Sequence, residues 1–446
     1  MFLISPGLGL RILVPTVAAC AVYLLGDLDG WVGLWAYTAT TLNMALLFGL
    51  SAVAGGGAWV GSTLRRAGVL TMARQTSRSR TWVELRLFAE LAVYVVAAVV
   101  LVSLLAWLTT ARVAATGGPD LPGLAARTAI CLAFAAGGYA LGRRWPAIIV
   151  VPVAVIVPYV AIGTCLYLAS DLLPATTPLD DRFTPFSRDV PHVQLIQAGA
   201  WVLVTVGVVA LLAANRTLAF ACTWSAGIAA SFLILVGPAD RVHVPEAAAP
   251  TCVHEARAMV CLPLASSHLA RPLAQDVDDV IRALPGLAPD SASWVEEYVE
   301  WNAMPQESWQ QVSARAAADG FDTTWVPEAV QVGMATQVNH GQVRLALVSR
   351  LFAAWTIPGG PPEGATSANE ALFRWAVAEL DLPTEGDDLH GTLGVEDLEP
   401  PTDDHAREME WFTALSEQER SAFFTEHARA IRSGTLSWSA FGEASE

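Results

Sequence analysis

The chain contains no lysine; all 26 of its basic residues are arginine. A P-loop ATPase needs the lysine of its GxxxxGK[S/T] motif to reach the β- and γ-phosphates of the nucleotide. This sequence therefore contains no ordinary Walker ATPase, and any ATP-driven work needs a partner that hydrolyses ATP. The exclusive use of arginine is typical of GC-rich genomes such as those of actinobacteria.

Long apolar runs are absent from the last 210 residues and frequent in the first 236. A hydrocarbon core of about 30 Å needs roughly 20 apolar residues per helical crossing. The sequence predicts an α-helical polytopic membrane protein, with a transmembrane domain over residues 1–236 and a soluble domain over residues 237–446. Seven candidate spans cover residues 10–25, 31–61, 87–109, 128–142, 145–170, 197–214 and 218–236. The fourth is the shortest, because Arg127 and Arg143 bound it.

Arginines concentrate in alternate loops between these spans. Short cytoplasmic loops carry the Lys/Arg excess of a membrane protein. The pattern predicts a bacterial plasma-membrane protein with a cytoplasmic N-terminus and an extracytoplasmic C-terminal domain. The arginines of the three inner loops are Arg65, Arg66, Arg74, Arg78, Arg80, Arg86, Arg143, Arg144 and Arg216.

The formal net charge of −16 is unevenly distributed. From residue 240 onward there are 33 acidic residues and 12 arginines, against 9 and 14 before it. Nucleic-acid binding requires a cationic surface for phosphate contacts. The acidic soluble domain is therefore excluded as a nucleic-acid binder, and lipid is the expected partner of the membrane half.

The six cysteines fall into two groups. Four lie in apolar spans, where cysteine acts as a small buried hydrophobe. Cys252 and Cys261 open the soluble domain, and their spacing allows two short strands to meet across a turn with the sulfurs in bonding range. The alternatives are a disulfide in an oxidising compartment, two unpaired core cysteines, or a metal site with His254. A structural zinc site needs four ligands, and no fourth is near in sequence.

The loop between the second and third spans mixes apolar side chains with arginines from Arg65 to Arg80. One interpretation is an interfacial helix whose arginines meet anionic lipid headgroups and set the topology. The other is a coupling helix that docks onto a cytoplasmic partner. Glu90, inside the third span, is expected to pair with Arg86 or snorkel near the inner surface, and a place in a transport pathway is the functional alternative.

This loop, with its RRAG and TSRSR segments, resembles the coupling-helix region of ABC-2-type transporter permeases, which contacts a nucleotide-binding subunit. The proline-bearing exterior stretch 171–195, and segments 260–263, 415–420 and 430–434, are similar to actinobacterial permease-like proteins with a large C-terminal domain. The resemblance implies six helices of an ABC-2-like core plus an additional seventh. It also implies ATP and Mg²⁺ on a separate P-loop ATPase subunit, and a homodimer or a second permease subunit. The coupling residues that it implies are Arg65, Arg66, Leu70, Arg74, Arg78 and Arg80.

The soluble domain is predicted to be mainly α-helical after an N-terminal β-hairpin. Helices are predicted over residues 267–284, 341–355 and 367–380, followed by an acidic linker near 381–404. Ser416 and Glu419 form a capping box for a last helix that reaches Arg432, with Gly434 just past its end. Acid pairs such as Asp278-Asp279 are expected on solvated helix faces.

No GxSxG, HExxH or CxxC motif accompanies the histidines of this domain, so no catalytic residues are assigned. The sequence predicts the permease subunit of an ABC-type exporter whose exterior domain binds substrate or a partner. The alternative is a membrane-anchored extracytoplasmic sensor or binding protein without transport activity. The chain itself is not expected to be an enzyme or to hold a cofactor.

Overall fold

A computed structural model describes residues 6–26, 28, 31–68, 80–147, 149–168, 187–188, 190–213, 215–236, 242–243, 250–255, 258–287, 292–295, 340–352, 366–382 and 405–442. The chain divides into two compact units, Met1–Ala247 and Ala248–Glu446. The first unit contains the long apolar helices, and the second contains the acidic segment of the sequence.

Apolar helices build the first unit. They are α1 (Pro6–Gly26), α2 (Trp35–Arg66), α3 (Arg80–Thr110), α4 (Leu121–Arg144), α5 (Val150–Leu168), α6 (Pro191–Leu212) and α7 (Arg216–Val236). In the described part of the chain, six of them are long and apolar enough to cross a membrane, and α5, apolar over Val150–Thr164, is shorter. The predicted α-helical character of this unit is confirmed, and in the described residues six helices have the length and composition to cross a membrane, where seven spans were predicted.

The predicted bounds of the fourth span, residues 128–142, are wrong. Helix α4 begins at Leu121, seven residues before the predicted start, and its first turns include Arg127. Arg127 marks the predicted boundary because a lone arginine is costly in hydrocarbon. In the structure Arg127 is fully buried and bonded to Asp120 and Asn43, so the helix continues through it.

Helix α2 is the centre of this unit, and three consecutive glycines face three different helices. A Cβ atom added at Gly55, Gly56 or Gly57 would lie less than 3.0 Å from another helix. The neighbours are, in order, the Val155 side chain of α5, the Ile12 side chain of α1 and the Ala135 carbonyl of α4. These glycines therefore permit close packing on three sides, as small residues do between membrane helices.

The closest approach is between α2 and α4. Each helix contributes a GxxxG pair, Gly57 with Gly61 and Gly138 with Gly142, and a Cβ at any of the four would lie less than 3.0 Å from a backbone oxygen of the other helix. The oxygens belong, in the same order, to Ala135, Tyr139, Ala54 and Ala58. On both helices, the residue that supplies the oxygen comes three positions before one of that helix's own two glycines. The two helices therefore present the same pattern to each other, and the crossing has pseudo-two-fold symmetry. The two backbones are in direct contact here.

Helix directions follow from contacts at the ends. Asn43, early in α2, bonds Arg127, early in α4, and Gly61, late in α2, meets Tyr139, late in α4. These two helices therefore run parallel. Glu84, one turn into α3, bonds to the end of α4, so α3 runs antiparallel to both.

The later helices continue this alternation. Gln194, early in α6, bonds Asp120, the residue that caps the start of α4. Because α4 ends at one end of the unit and α6 begins at the other, the chain that contains α5 returns across the unit. Helices α6 and α7 then form a hairpin, and short strands β1 (Ser187–Arg188) and β2 (Val242–His243) pair next to its open end.

The second unit begins with a small sheet. Strands β3 (Pro250–Glu255) and β4 (Ala258–Pro263) pair antiparallel across residues 256–257, and β5 (Ala292–Val295) pairs parallel to β4. The parallel third strand was not anticipated from the sequence. Helix α8 (Ala270–Ala283) makes the crossover between β4 and β5.

Four further helices complete the described part of this unit: α9 (His340–Leu351), α10 (Ser367–Glu379), α11 (Ala406–Ala414) and α12 (Glu417–Arg432). Their apolar faces enclose a core that includes Phe352, Phe373, Phe412 and Phe424. The capping box is confirmed: Glu419 N–H donates to Ser416 Oγ at 3.4 Å, and the Glu419 carboxylate accepts from Ser416 N–H at 2.9 Å. Gly434 follows the helix with φ +73°.

Candidate functional site

Arginines mark one end of the first unit, where α2 and α4 end and α3 begins. We call it the arginine-rich end, and the opposite end, where α4 begins, the Asp120 end. Those inner-loop arginines that the structure describes therefore all lie at the arginine-rich end. In the described residues this end includes Arg11, Arg65, Arg66, Arg80, Arg86, Arg143, Arg144 and Arg216.

The loop predicted to couple to an ATPase begins at this end. The guanidinium of Arg65 donates to the carbonyl oxygens of Arg143 and Arg144, the last residues of α4. Arg66 instead bonds back to Ser62 on its own helix, at 3.4 Å from both the carbonyl and the hydroxyl oxygen. Arg80 is the first residue of α3. Leu70, Arg74 and Arg78, also predicted to couple, lie outside the described residues.

A buried ion pair lies one turn beyond Arg80. Glu84 is 1% exposed, and its carboxylate accepts from Arg143 Nη2 at 2.9 Å and from the Tyr139 hydroxyl at 2.9 Å. An ion this deeply buried requires a partner with good hydrogen-bond geometry, and here each carboxylate oxygen has one donor. We call Glu84, Tyr139 and Arg143 the clasp. The sequence pattern did not predict the clasp, although Glu84 is the only acidic residue within five positions of Arg80, where α3 begins.

Glu90 lies further along α3. Its carboxylate is 3.5 Å from Arg86 Nε, as the sequence predicted, and the residue is 7% exposed. The pair spans one helical turn of α3, so Arg86 supplies a counter-charge for this largely buried acid. Nothing in these contacts assigns Glu90 to a transport pathway, and that role stays a prediction.

A second polar cluster lies at the Asp120 end. Arg127 Nη1 donates to Asn43 Oδ1 at 3.0 Å, and Arg127 Nη2 lies 3.3 Å from both the carbonyl oxygen and Oδ2 of Asp120. Gln194 Nε2 donates to the same carboxylate at 3.3 Å, and neighbouring Gln197 is also buried. The cluster joins α2, α4 and α6. Arg127 and Arg143 are 16 residues apart on α4, or about 24 Å along a helix, so the clusters stand near its two ends.

The soluble unit offers a third group of charges. Asp276 is 1% exposed and accepts from Arg344 Nε at 2.8 Å, with His340 Nδ1 2.7 Å from its other oxygen. The expectation that the pair Asp278-Asp279 lies on a solvated helix face is wrong for Asp278, which is 6% exposed and bonded to Arg282, whereas the Asp279 side chain is 42% exposed. Helix α9 covers this face of α8, and no sequence pattern linked the two helices. In the described part of the chain, no group of three or more His, Cys, Asp or Glu could hold a metal ion.

The cysteine pair at the start of this unit is aligned. Cys252 stands opposite Cys261 in the β3–β4 register, as the eight-residue spacing suggested. Directly facing residues of antiparallel strands have Cα atoms about 4.5 to 5.5 Å apart, which is within the usual range for a disulfide. The cysteine side chains that the structure describes, Cys20, Cys131 and Cys222, are free thiols. The side chains of Cys252 and Cys261 are outside that description.

Comparison with known proteins supplies no relative. No family model matches the chain, no curated protein is similar to it, and no solved structure shares its fold detectably.

Proposed function

We propose that the chain is a membrane-spanning permease subunit of an ABC-type exporter, driven by a separate ATPase that binds the loop between α2 and α3. The N-terminus would lie in the cytoplasm and the second unit outside the bacterial plasma membrane. Energy would come from the partner, because this lysine-free chain contains no Walker motif. The second unit would bind the substrate or a partner protein.

The observation that carries this proposal is the connection between the loop and the helix pair at the centre of the first unit. Arg65, at the start of the loop, is bonded to the end of α4. The two helices α2 and α4 contact each other through backbone at four glycines. A force applied to the loop would therefore act on two closely packed helices together, rather than on a flexible surface segment. A lipid anchor needs no such connection.

The proposed orientation in the membrane rests on the distribution of arginines between the two ends of the first unit. Eight described arginines lie at the arginine-rich end, whereas three, Arg112, Arg127 and Arg188, lie toward the Asp120 end. This asymmetry favours the arginine-rich end as cytoplasmic. If that end is cytoplasmic, alternation of the helices would leave the end of α7 on the exterior side, and the proposal assigns the chain that follows to the same side. An exterior location is also the condition for a Cys252–Cys261 disulfide.

A sensor or binding protein anchored by its helices is the second candidate. The observation in its favour is the second unit, which has its own apolar core and its own buried ionic network around Asp276. Such a protein would need neither an ATPase nor a coupling loop.

Co-purification separates the two. The chain is expressed with its genomic neighbours, purified in detergent by a tag, and its companions are identified by mass spectrometry. We expect a P-loop ATPase to co-purify with the wild type and to be lost when Arg66 and Arg74 are changed to glutamate. Arg65 is a poorer choice, because its substitution would also break its bonds to α4.

The matched control is Arg112→Glu, the same charge reversal at an exposed position toward the Asp120 end. Retention of the ATPase by this variant and its loss from the double variant would locate the docking surface. A preparation without ATPase in all three would refute the exporter proposal and favour the sensor.

A further inference from the structure

Both ends of the proposed coupling loop attach to the same two turns of α4. At the loop's start, Arg65 donates to the carbonyls of Arg143 and Arg144. At its far end, Glu84 accepts from Arg143 and from Tyr139, one turn earlier on α4. These bonds connect α2 and α3, the helices that flank the loop, to a helix that the loop does not adjoin in sequence.

The clasp is buried, so its bonds do not exchange readily with water. Glu84 is 1% exposed, Tyr139 is fully buried and Arg143 is 7% exposed. The aromatic ring of Tyr139 also packs against Phe88 of α3, with ring centroids 6.4 Å apart. Displacing the start of α3 therefore either moves the end of α4 or leaves a buried charge without its partner.

The glycine crossing gives α4 a pivot close to the clasp. Gly138 and Gly142 touch α2 directly, and only Arg143 and Arg144 follow them on the helix. The part of α4 before Gly138 contains 17 residues, or about 26 Å of helix. A helix held near one end by backbone contact moves more at its far end than at its near end. That far end carries Asp120 and Arg127, which bond α2 and α6.

We propose that Glu84, Tyr139 and Arg143 are positioning residues that transmit displacement of the coupling loop to α4 and, through it, to the polar cluster at the Asp120 end. The proposal rests on the proposed function for its purpose, but the coupling between the two ends can be measured in this chain alone. It identifies α4 as the helix that receives the movement.

The test uses a reporter at the Asp120 end. Gly118 is exposed, and a Cβ there would meet no atom within 4 Å, so Gly118→Cys places a thiol two residues before Asp120 without strain. The rate of its reaction with a membrane-impermeant maleimide is followed on the full chain in detergent. Mass spectrometry of the peptide that contains position 118 keeps the native cysteines out of the measurement.

Three changes are compared in this background. Glu84→Gln removes the charge of the clasp, and we expect at least a threefold change in the labelling rate at position 118. Tyr139→Phe removes one hydrogen bond, keeps the ring, and should give a smaller change in the same direction. Glu90→Gln is the comparison variant, since it neutralises a buried acid of the same helix that is paired with Arg86 and is not part of the clasp, and it should change the rate less than Glu84→Gln does.

The double variant Glu84→Arg with Arg143→Glu exchanges the charges and should restore the rate toward the wild-type value. All variants are required to elute as a single monodisperse peak. A folded Glu84→Gln protein with the wild-type labelling rate would overturn the clasp proposal, as would equal changes in Glu84→Gln and Glu90→Gln. Failure of an ATPase to co-purify would instead refute the proposed function and leave this result standing.

Discussion

Two adjacent glycines of α4 should respond in opposite ways to the same substitution. Gly138 faces α2, and a Cβ there would lie less than 3.0 Å from the carbonyl carbon and oxygen of Ala54. Gly137 is exposed, and a Cβ there would meet nothing within 4 Å in the part of the chain that the structure describes. Both changes to alanine add one methyl group to the same turn, so the difference between them isolates the helix contact.

The magnitudes follow from that geometry. Alanine in a helix is favoured over glycine by up to about 1 kcal/mol, a gain that applies at both positions. At Gly138 the two backbones must also separate, and such overpacking typically costs about 1 to 3 kcal/mol. We expect Gly137→Ala to be neutral or slightly stabilising, and Gly138→Ala to be less stable than Gly137→Ala by about 2 kcal/mol. For a unit of about 250 residues this difference corresponds to roughly 4 to 8 °C in the unfolding midpoint.

Thermal unfolding of the full chain in detergent, followed by fluorescence-detected size-exclusion chromatography, measures the apparent midpoint. Because membrane proteins often unfold irreversibly, the two variants must be heated at one rate in one detergent. Gly142→Ala should behave like Gly138→Ala, since it meets Ala58 in the same way. Equal midpoints for the position 137 and 138 variants would show that α2 and α4 are not in backbone contact, and would remove the basis for joint movement of the pair.

Three predictions concern the second unit. Asn369→Ala should cost at least about 3 kcal/mol, because this fully buried side chain bonds two carbonyls and one N–H, each worth about 1 to 3 kcal/mol when left unpaired; chemical denaturation measures it. Ser416→Ala should cost about 1 kcal/mol at pH 7. Hydrogen bonds from Ser416 lower the pKa of Glu419, so their stabilisation is present above the ordinary glutamate pKa and is lost as pH falls through the lowered value. The gap between wild type and Ser416→Ala should therefore shrink on acidification, and a constant gap would contradict this account. Non-reducing peptide mapping should find Cys252 joined to Cys261, whereas two alkylatable thiols would show that the aligned strands carry no disulfide.

The local features of this protein were readable because their causes are local. The apolar lengths of the membrane helices, the capping box at Ser416 and the stop of α12 before Gly434 each depend on residues within a few positions of one another. The Arg86–Glu90 pair follows from helical spacing in the same way. The alignment of Cys252 with Cys261 could be predicted because a short hairpin brings nearby residues together. The parallel pairing of β5 with β4 could not be predicted, because β5 lies about 30 residues further along the chain.

Polar groups inside the bundle could be placed only by the tertiary structure. A charged residue in an apolar segment usually lies at a helix end when it has no partner. It can lie inside the bundle when another residue pairs with it. Arg127 has such partners in Asn43, 84 residues earlier, and in Asp120 just before its helix. Glu84 likewise depends on Arg143, 59 residues later.

The sequence by itself determined the number and order of the apolar segments, the loops in which arginines concentrate, and the lack of a lysine for a Walker motif, because composition and periodicity act along the chain. Only the tertiary structure decided which of these segments touch, that α2 and α4 meet through glycine backbones, and that both ends of the loop reach α4. Packing of this kind depends on which surfaces can approach most closely, and that is a property of pairs of helices rather than of either sequence segment alone.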